Sequence, residues 1–256
     1  MPGHQVADSL SQIPLRFMKS PLHAYFILLL VCFSVCGSIH LSASEPPPSP
    51  AAIATKPFDG KSLAGWDGDQ KIWETLNESI VGGSLTDETK QNEFVATVRE
   101  YSNFIVRLQI KLSGSEGFIN SGIQIRSQRE PGSSGMAGYQ CDWGDPTWWG
   151  CIYDEGRRDK LMAQSDMKVI GPVVKRNDWN DYVIRADGPR ITTWINGVMA
   201  VDFTESDPSI PQTGRMAIQI HGGGKALVEV RNLTIEELPT GKNNKAEAKK
   251  DESGKE

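Results

Sequence analysis

The chain has 256 residues, including 25 Gly, 15 Pro and 7 Trp, and a formal net charge of −5. That composition suits a loop-rich β protein better than a helical bundle. The negative balance and lack of a basic stripe exclude a charge-driven nucleic-acid surface.

Lys19 precedes an apolar run, Ala24–Cys36, and small residues follow it. The run falls short of the roughly 20 residues that a membrane span needs. Residues 1–44 therefore read as a secretory signal cleaved near Ala43, with Met18 as an alternative start and an uncleaved anchor as the alternative reading. An exported protein, periplasmic or extracellular, is expected, with no membrane contact beyond that segment. Residues 45–56 are Pro/Ala-rich and read as a linker with no core to join. The Lys/Glu/Asn-rich residues 239–256 read as a disordered charged tail. A single β-sandwich domain is expected over 57–238.

Within it, Phe58-Asp59-Gly60 reads as a turn, and Leu63 and Trp66 as the first core anchors. Trp73–Leu76 and Ser79–Val81 form a hairpin pattern, and Phe94–Thr97 continues the series. Over 103–112, Phe104, Val106, Leu108 and Ile110 alternate with Arg107, Gln109 and Lys111, the period of a half-buried strand. Three further strands are predicted at Gly117–Ser127, Gly138–Trp143 and Trp148–Asp154. Asp181–Ala186, Arg190–Ile195 and Met199–Phe203 follow, with a hairpin turn at Asn196-Gly197. Gly214–His221 and Ala226–Glu237 close the chain. Many short strands and no long 3.6-residue period predict an all-β antiparallel sandwich or jelly roll.

Strand parity sorts the polar residues of 117–154. Ile119, Ile123 and Ile125 share one face, and Asn120, Gln124 and Arg126 the other, with Gly122 leaving its middle open. Gln140 and Asp142 lie opposite Tyr139, Cys141 and Trp143. A solvated sandwich face is the ordinary account of such a pattern. Solvated faces, however, fill with flexible Lys and Glu, whereas this one presents amides, one Arg and one Asp. His221, the one His beyond the signal, shares a face with Gln219 and precedes Gly222-Gly223-Gly224. The glycines leave room for a ligand or a close backbone contact.

Tyr153, Asp154 and Glu155 add a carboxylate-bearing loop; its ordinary reading is a charged surface turn. Trp143, Trp148 and Trp149 are candidates to stack on a sugar, although Trp is more often core. Asp142, Asp145, Asp154 and Glu155 offer carboxylates for glycoside chemistry. A GxSxG elbow and zinc-type ligand spacing are both missing. Cys141 and Cys151, alone outside the signal, are candidates for a bridge between adjacent strands.

Several phrases occur together in order: Phe58-Asp59-Gly60-Lys61-Ser62-Leu63-Ala64-Gly65-Trp66, Asn120-Ser121-Gly122-Ile123-Gln124-Ile125-Arg126-Ser127, Gly138-Tyr139-Gln140, Ile152-Tyr153-Asp154-Glu155, Trp179-Asn180-Asp181-Tyr182, Asn196-Gly197, Gln219-Ile220-His221-Gly222 and Val230-Arg231-Asn232-Leu233. The set resembles the 3-keto-disaccharide hydrolase domain family, also described as 3-keto-glucoside lyase/hydratase and abundant in planctomycete-type exported proteins. The resemblance implies a concanavalin A-like jelly roll and a 3-keto-sugar or other oligosaccharide as partner. It also implies chemistry by C2 deprotonation, elimination at C1 and hydration. On that reading Arg126 and Gln124 face the enolate or carbonyl oxygen, and His221 is the acid/base, with Asp142 or Glu155 as its carboxylate partner. Gln140, Tyr153 and Gln219 orient hydroxyls, and Asn120 and Trp148 bind sugar. Where many members have Tyr-Glu, this chain has Tyr139-Gln140, which leaves the base open between these groups. No cofactor and no metal are predicted, with a structural Ca²⁺ left open. A non-catalytic lectin-like module and an adhesion domain are the competing readings.

Overall fold

The computed structural model describes residues 45–51 and 53–239. The signal expected at 1–44 and residues 240–256 of the expected tail lie outside the described residues. The strands are β1 (Trp66–Asp67), β2 (Trp73–Leu76), β3 (Ser79–Gly83), β4 (Glu93–Tyr101), β5 (Phe104–Gly117), β6 (Asn120–Arg129) and β7 (Met136–Gly144). They continue with β8 (Ile152–Glu155), β9 (Lys160–Ala163), β10 (Asn180–Asp187), β11 (Arg190–Ile195), β12 (Val198–Thr204), β13 (Gly214–Ile220) and β14 (Gly224–Glu237). One short helix, α1 (Met167–Ile170), precedes β10 and has Asp166 as its N-cap.

Two antiparallel sheets result, ordered β1-β4-β13-β6-β7-β8-β9 and β12-β11-β10-β5-β14-β3-β2. The alternation read along residues 104–112 buries Phe104, Val106, Leu108 and Ile110 between the layers. From the facing sheet come Ile123, Ile125, Tyr139, Cys141 and Trp143, in the same core cluster. Each fully buried aliphatic or aromatic side chain contributes about 1.5–3 kcal/mol, so the interlayer seam holds the fold. Asn196 and Gly197 both have positive φ (48° and 84°), as a tight hairpin turn between twisted strands requires.

Several expectations are corrected here. Trp148 and Trp149 lie in the turn between β7 and β8, not on a strand. The Pro-rich linker is docked in part: Pro48 and Ser49 carbonyls accept from an Arg107 Nη at 2.6 and 3.0 Å, and Trp194 Nε1 donates to the Glu45 carbonyl at 2.7 Å. The largest correction concerns Arg126. Register shifts between Ile125 and Gln128 where β6 pairs with β7, and Arg126 itself takes a left-handed φ of 51°. A bulge of this kind re-aims the side chains beyond it, so simple parity fails from residue 126 onward.

Candidate active site

The first sheet's outer face holds a hollow of about 330 Å³, at the small end of the range for ligand pockets, about 300–1,000 Å³. Its lining residues are Asn92, Phe118, Asn120, Gln140, Asp142, Trp148, Tyr153, Glu155, Asp159 and His221. Parity delivers most of them: Asn120 opens β6, Gln140 and Asp142 stand on β7, Tyr153 and Glu155 on β8, and His221 follows β13.

Beneath the hollow runs a chain of buried amides. Ser127 Oγ donates to Gln124 Oε1 at 2.5 Å, and Gln124 Nε2 donates to Gln140 Oε1 at 3.0 Å. Gln140 Nε2 then donates to Gln219 Oε1 at 2.9 Å and to Asp142 Oδ1 at 2.7 Å. Both Gln140 N–H groups are thereby used within the protein. Gln124 and Gln219 are fully buried behind Gln140, so they brace the floor and do not line it. Gly122 plays a different part from the open space expected: a Cβ there would lie 2.5 Å from Gln140 Cγ. Its bare Cα is the bed on which Gln140 rests.

Asp142, buried at the floor, has its carboxyl pKa pushed well above the carboxylate range. Burial is the main cause, and the nearby Glu155 charge adds to it, against the hydrogen bonds from Gln140 and Asn120. Gln140 donates to Oδ1, which leaves Oδ2 as the oxygen available to carry a proton. Glu155 is also raised, by burial first and by Asp159 and Glu130, while a 2.9 Å hydrogen bond from Asn92 Nδ2 opposes the rise.

His221 Nδ1 lies 2.6 Å from the Gly222 carbonyl oxygen. That oxygen can only accept, so Nδ1 carries the proton and neutral Nε2 keeps a free lone pair. Burial lowers the imidazole pKa from 6.5, with the Gly222 hydrogen bond opposing. The Phe118 ring meets the imidazole edge-on at 4.6 Å, and T-shaped contacts run from Phe118 to Trp148 (6.4 Å) and from Trp148 to Tyr153 (6.3 Å). One wall is thus aromatic and the other acidic. The glycine triplet serves a close backbone contact: a Cβ on Gly222 would sit 2.7 Å from the Gln91 backbone.

Arg126 is absent from this assembly. It is buried at the opposite end of β6 from His221, whose strand pairs Ile220 with Ser121 and Arg215 with Ser127. Its guanidinium donates to Ser102 O (2.7 Å), Gly188 O (2.6 Å) and Asn103 Oδ1 (3.0 Å), tying turns of the two sheets together. Burial pushes its pKa down to about 10. The expected contact with an enolate oxygen is therefore withdrawn.

Trp143 is core, packed on Tyr182 at 5.8 Å, and Trp149 is buried with Nε1 donating to Asp145 at 3.1 Å. Asp154 faces away from the hollow and is paired with Arg157 and Arg158. Cys141 and Cys151 are free thiols, both buried, without the bridge considered for them. Asn92 and Phe118 are not candidates from the sequence, whereas Asp159 belongs to the charged loop that begins at Tyr153. Among the described residues, no three His, Cys, Asp or Glu side chains gather as they would around a metal ion.

Residues 54–236 match the family model of the 3-keto-alpha-glucoside-1,2-lyase-like domain. No curated protein matches the chain. Among solved structures, a Parabacteroides distasonis protein described as a candidate glycosyl hydrolase is 22% identical, with TM-score 0.56, over 76% of this chain and 100% of its own. The carbohydrate-binding module CBM66 of Bacillus subtilis is 14% identical, with TM-score 0.51, over 67% of this chain and 95% of its own. A Bacillus licheniformis β-glucanase is 11% identical, with TM-score 0.50, over 74% of this chain and 100% of its own. With the two antiparallel sheets, these likenesses make the fold a concanavalin A-like jelly-roll sandwich.

Proposed function

The chain belongs to the 3-keto-alpha-glucoside-1,2-lyase-like family, and on that premise we propose that the hollow cleaves 3-keto-glycosides by elimination. A ketone at C3 acidifies the C2 proton. His221 Nε2 removes it, and the electron pair passes through the enolate to expel the C1 oxygen, leaving a C1=C2 double bond. Glu155, whose pKa burial raises, protonates the departing alcohol. Water then adds back across the double bond, so the net change is hydrolysis and the C3 ketone is unchanged. A positioned acid or base contributes about 10²–10⁴-fold.

In this reading the neutral Asp142 carboxyl and the Asn120 amide replace Arg126 as donors to the enolate oxygen. A buried carboxyl kept protonated can donate a hydrogen bond without carrying charge into the site. The observation that carries the proposal is the fixed His221 tautomer: a free Nε2 at the hollow, beside two carboxyls whose pKa values burial raises. The aromatic wall of Phe118 and Trp148 suits the apolar face of a sugar ring.

Incubating the protein with a 3-keto-glucoside and following the products by mass spectrometry tests the reading. Release of the aglycone, abolished by His221→Ala, is expected. Affinity for unoxidised sugars with no product from the keto-sugar would favour a lectin-like module. Export is part of the proposal, and N-terminal sequencing of the mature protein from periplasmic and extracellular fractions checks it.

A further inference from the structure

Asn92, just before β4, occupies the seam between the two groups assigned to proton transfer. The Gly222 N–H donates to Asn92 Oδ1 at 3.0 Å. An N–H can only donate, so the amide's orientation is settled and Nδ2 faces Glu155, donating to Oε1 at 2.9 Å. Gly222 also accepts from His221 Nδ1 on its carbonyl. A single side chain thus grips the carboxyl directly and reaches the imidazole through one residue.

The backbone around it is clamped from both sides. Gly223 N donates to Thr89 O at 2.7 Å, Thr89 N donates to Gly224 O at 3.1 Å, and Ser134 Oγ donates to Asn92 O at 3.4 Å. The missing Cβ of Gly222 lets the Gln91 backbone pass directly over it. The titratable groups facing Glu155 are Asp159 beyond β8, Glu130 after β6 and Asp142 on β7. All are acidic, which leaves the Asn92 N–H as the contact that favours an ionised Glu155.

We infer that Asn92 is a positioning residue that locks Glu155 and His221 into one frame, orienting the carboxyl and preserving the imidazole tautomer with a free Nε2. The inference rests on the proton-transfer roles proposed above, but its test does not require turnover.

Asn92→Asp keeps an acceptor for the Gly222 N–H and replaces the donor facing Glu155 with a carboxylate. Asn92→Leu removes both contacts. In the full-length protein, ¹⁵N shifts of the imidazole report the tautomer, and ¹³C shifts of the side-chain carboxyls follow Glu155. With Asn92→Asp, His221 should keep its tautomer while the Glu155 midpoint rises by about one pH unit or more. With Asn92→Leu, the midpoint should rise and the single-tautomer signature of His221 should also be lost. An unmoved Glu155 midpoint in a folded Asn92→Asp protein overturns the inference, whether or not Asn92→Leu folds. Loss of aglycone release from the wild-type protein would count against the proposed reaction alone.

Discussion

Replacing Asp142 with Asn asks whether the floor carboxyl is neutral in the working protein. Asp142 is buried and its pKa is raised mainly by loss of water. The folded state therefore keeps a proton that the unfolded chain releases near pH 3.9, roughly the ordinary aspartate value. The stability tied to that proton is complete below about pH 4 and is lost as pH rises through the folded-state pKa. Within that window each pH unit removes about 1.4 kcal/mol. Asp142→Asn preserves the shape and the acceptor for Gln140 Nε2 but cannot ionise. Its stability relative to wild type should climb by roughly 1.4 kcal/mol per pH unit from about pH 4 upward, levelling off at the wild-type folded pKa. Urea unfolding free energies of both proteins across that range measure the difference. Parallel pH curves, or an Asn variant that falls behind wild type as pH rises, would refute the neutral-carboxyl argument. In turnover, Asp142→Leu loses the donor and should cost about 10²–10³-fold, whereas the amide of Asp142→Asn retains a donor and costs less.

Three further outcomes follow from the geometry. An NMR titration of His221 should give a midpoint below 6.5, because burial lowers its pKa; a midpoint above that value would mean the imidazole is charged where a base is needed. Gly122→Ala drives a Cβ into Gln140 Cγ at 2.5 Å and breaks the amide chain. With each orphaned buried group costing about 1–3 kcal/mol, urea unfolding should show a loss of at least about 2 kcal/mol. Arg126→Ala should destabilise by at least about 3 kcal/mol, from three lost charge-assisted hydrogen bonds, while kcat per folded molecule holds; a drop in kcat without unfolding would return Arg126 to the chemistry.

The parts of the fold legible in sequence were those governed by local period. Phe104 to Ile110 alternates without interruption, and the β5 core face was correctly read from it. Gln140 and Asp142 lie on an unbulged stretch of β7, so two-residue parity placed them on one surface. Tyr153 and Glu155 read only as part of a carboxylate-bearing loop, and their shared face on β8 comes from the structure. Arg126 failed because a left-handed bulge after Ile125 shifts the register of β6 against both β7 and β13, and nothing in residues 120–127 marks it. Asn92 sits outside any predicted strand, and Phe118, though inside the strand predicted over Gly117–Ser127, falls in the break between β5 and β6. Both contact the glycine triplet at 222–224. Those glycines were a signal of close approach, but sequence could not name the segment approaching. Trp143 was separable from Trp148 by its inward parity on β7. Trp149 was not, because a turn has no period to read.

The central claim, proton removal from C2 by His221, is tested most directly by running the reaction with a 3-keto-glucoside in D₂O. The account predicts a released 3-keto-sugar carrying deuterium at C2, and neither exchange nor release with His221→Ala. A released sugar that keeps its original C2 hydrogen would contradict it, since direct displacement at C1 never opens that bond.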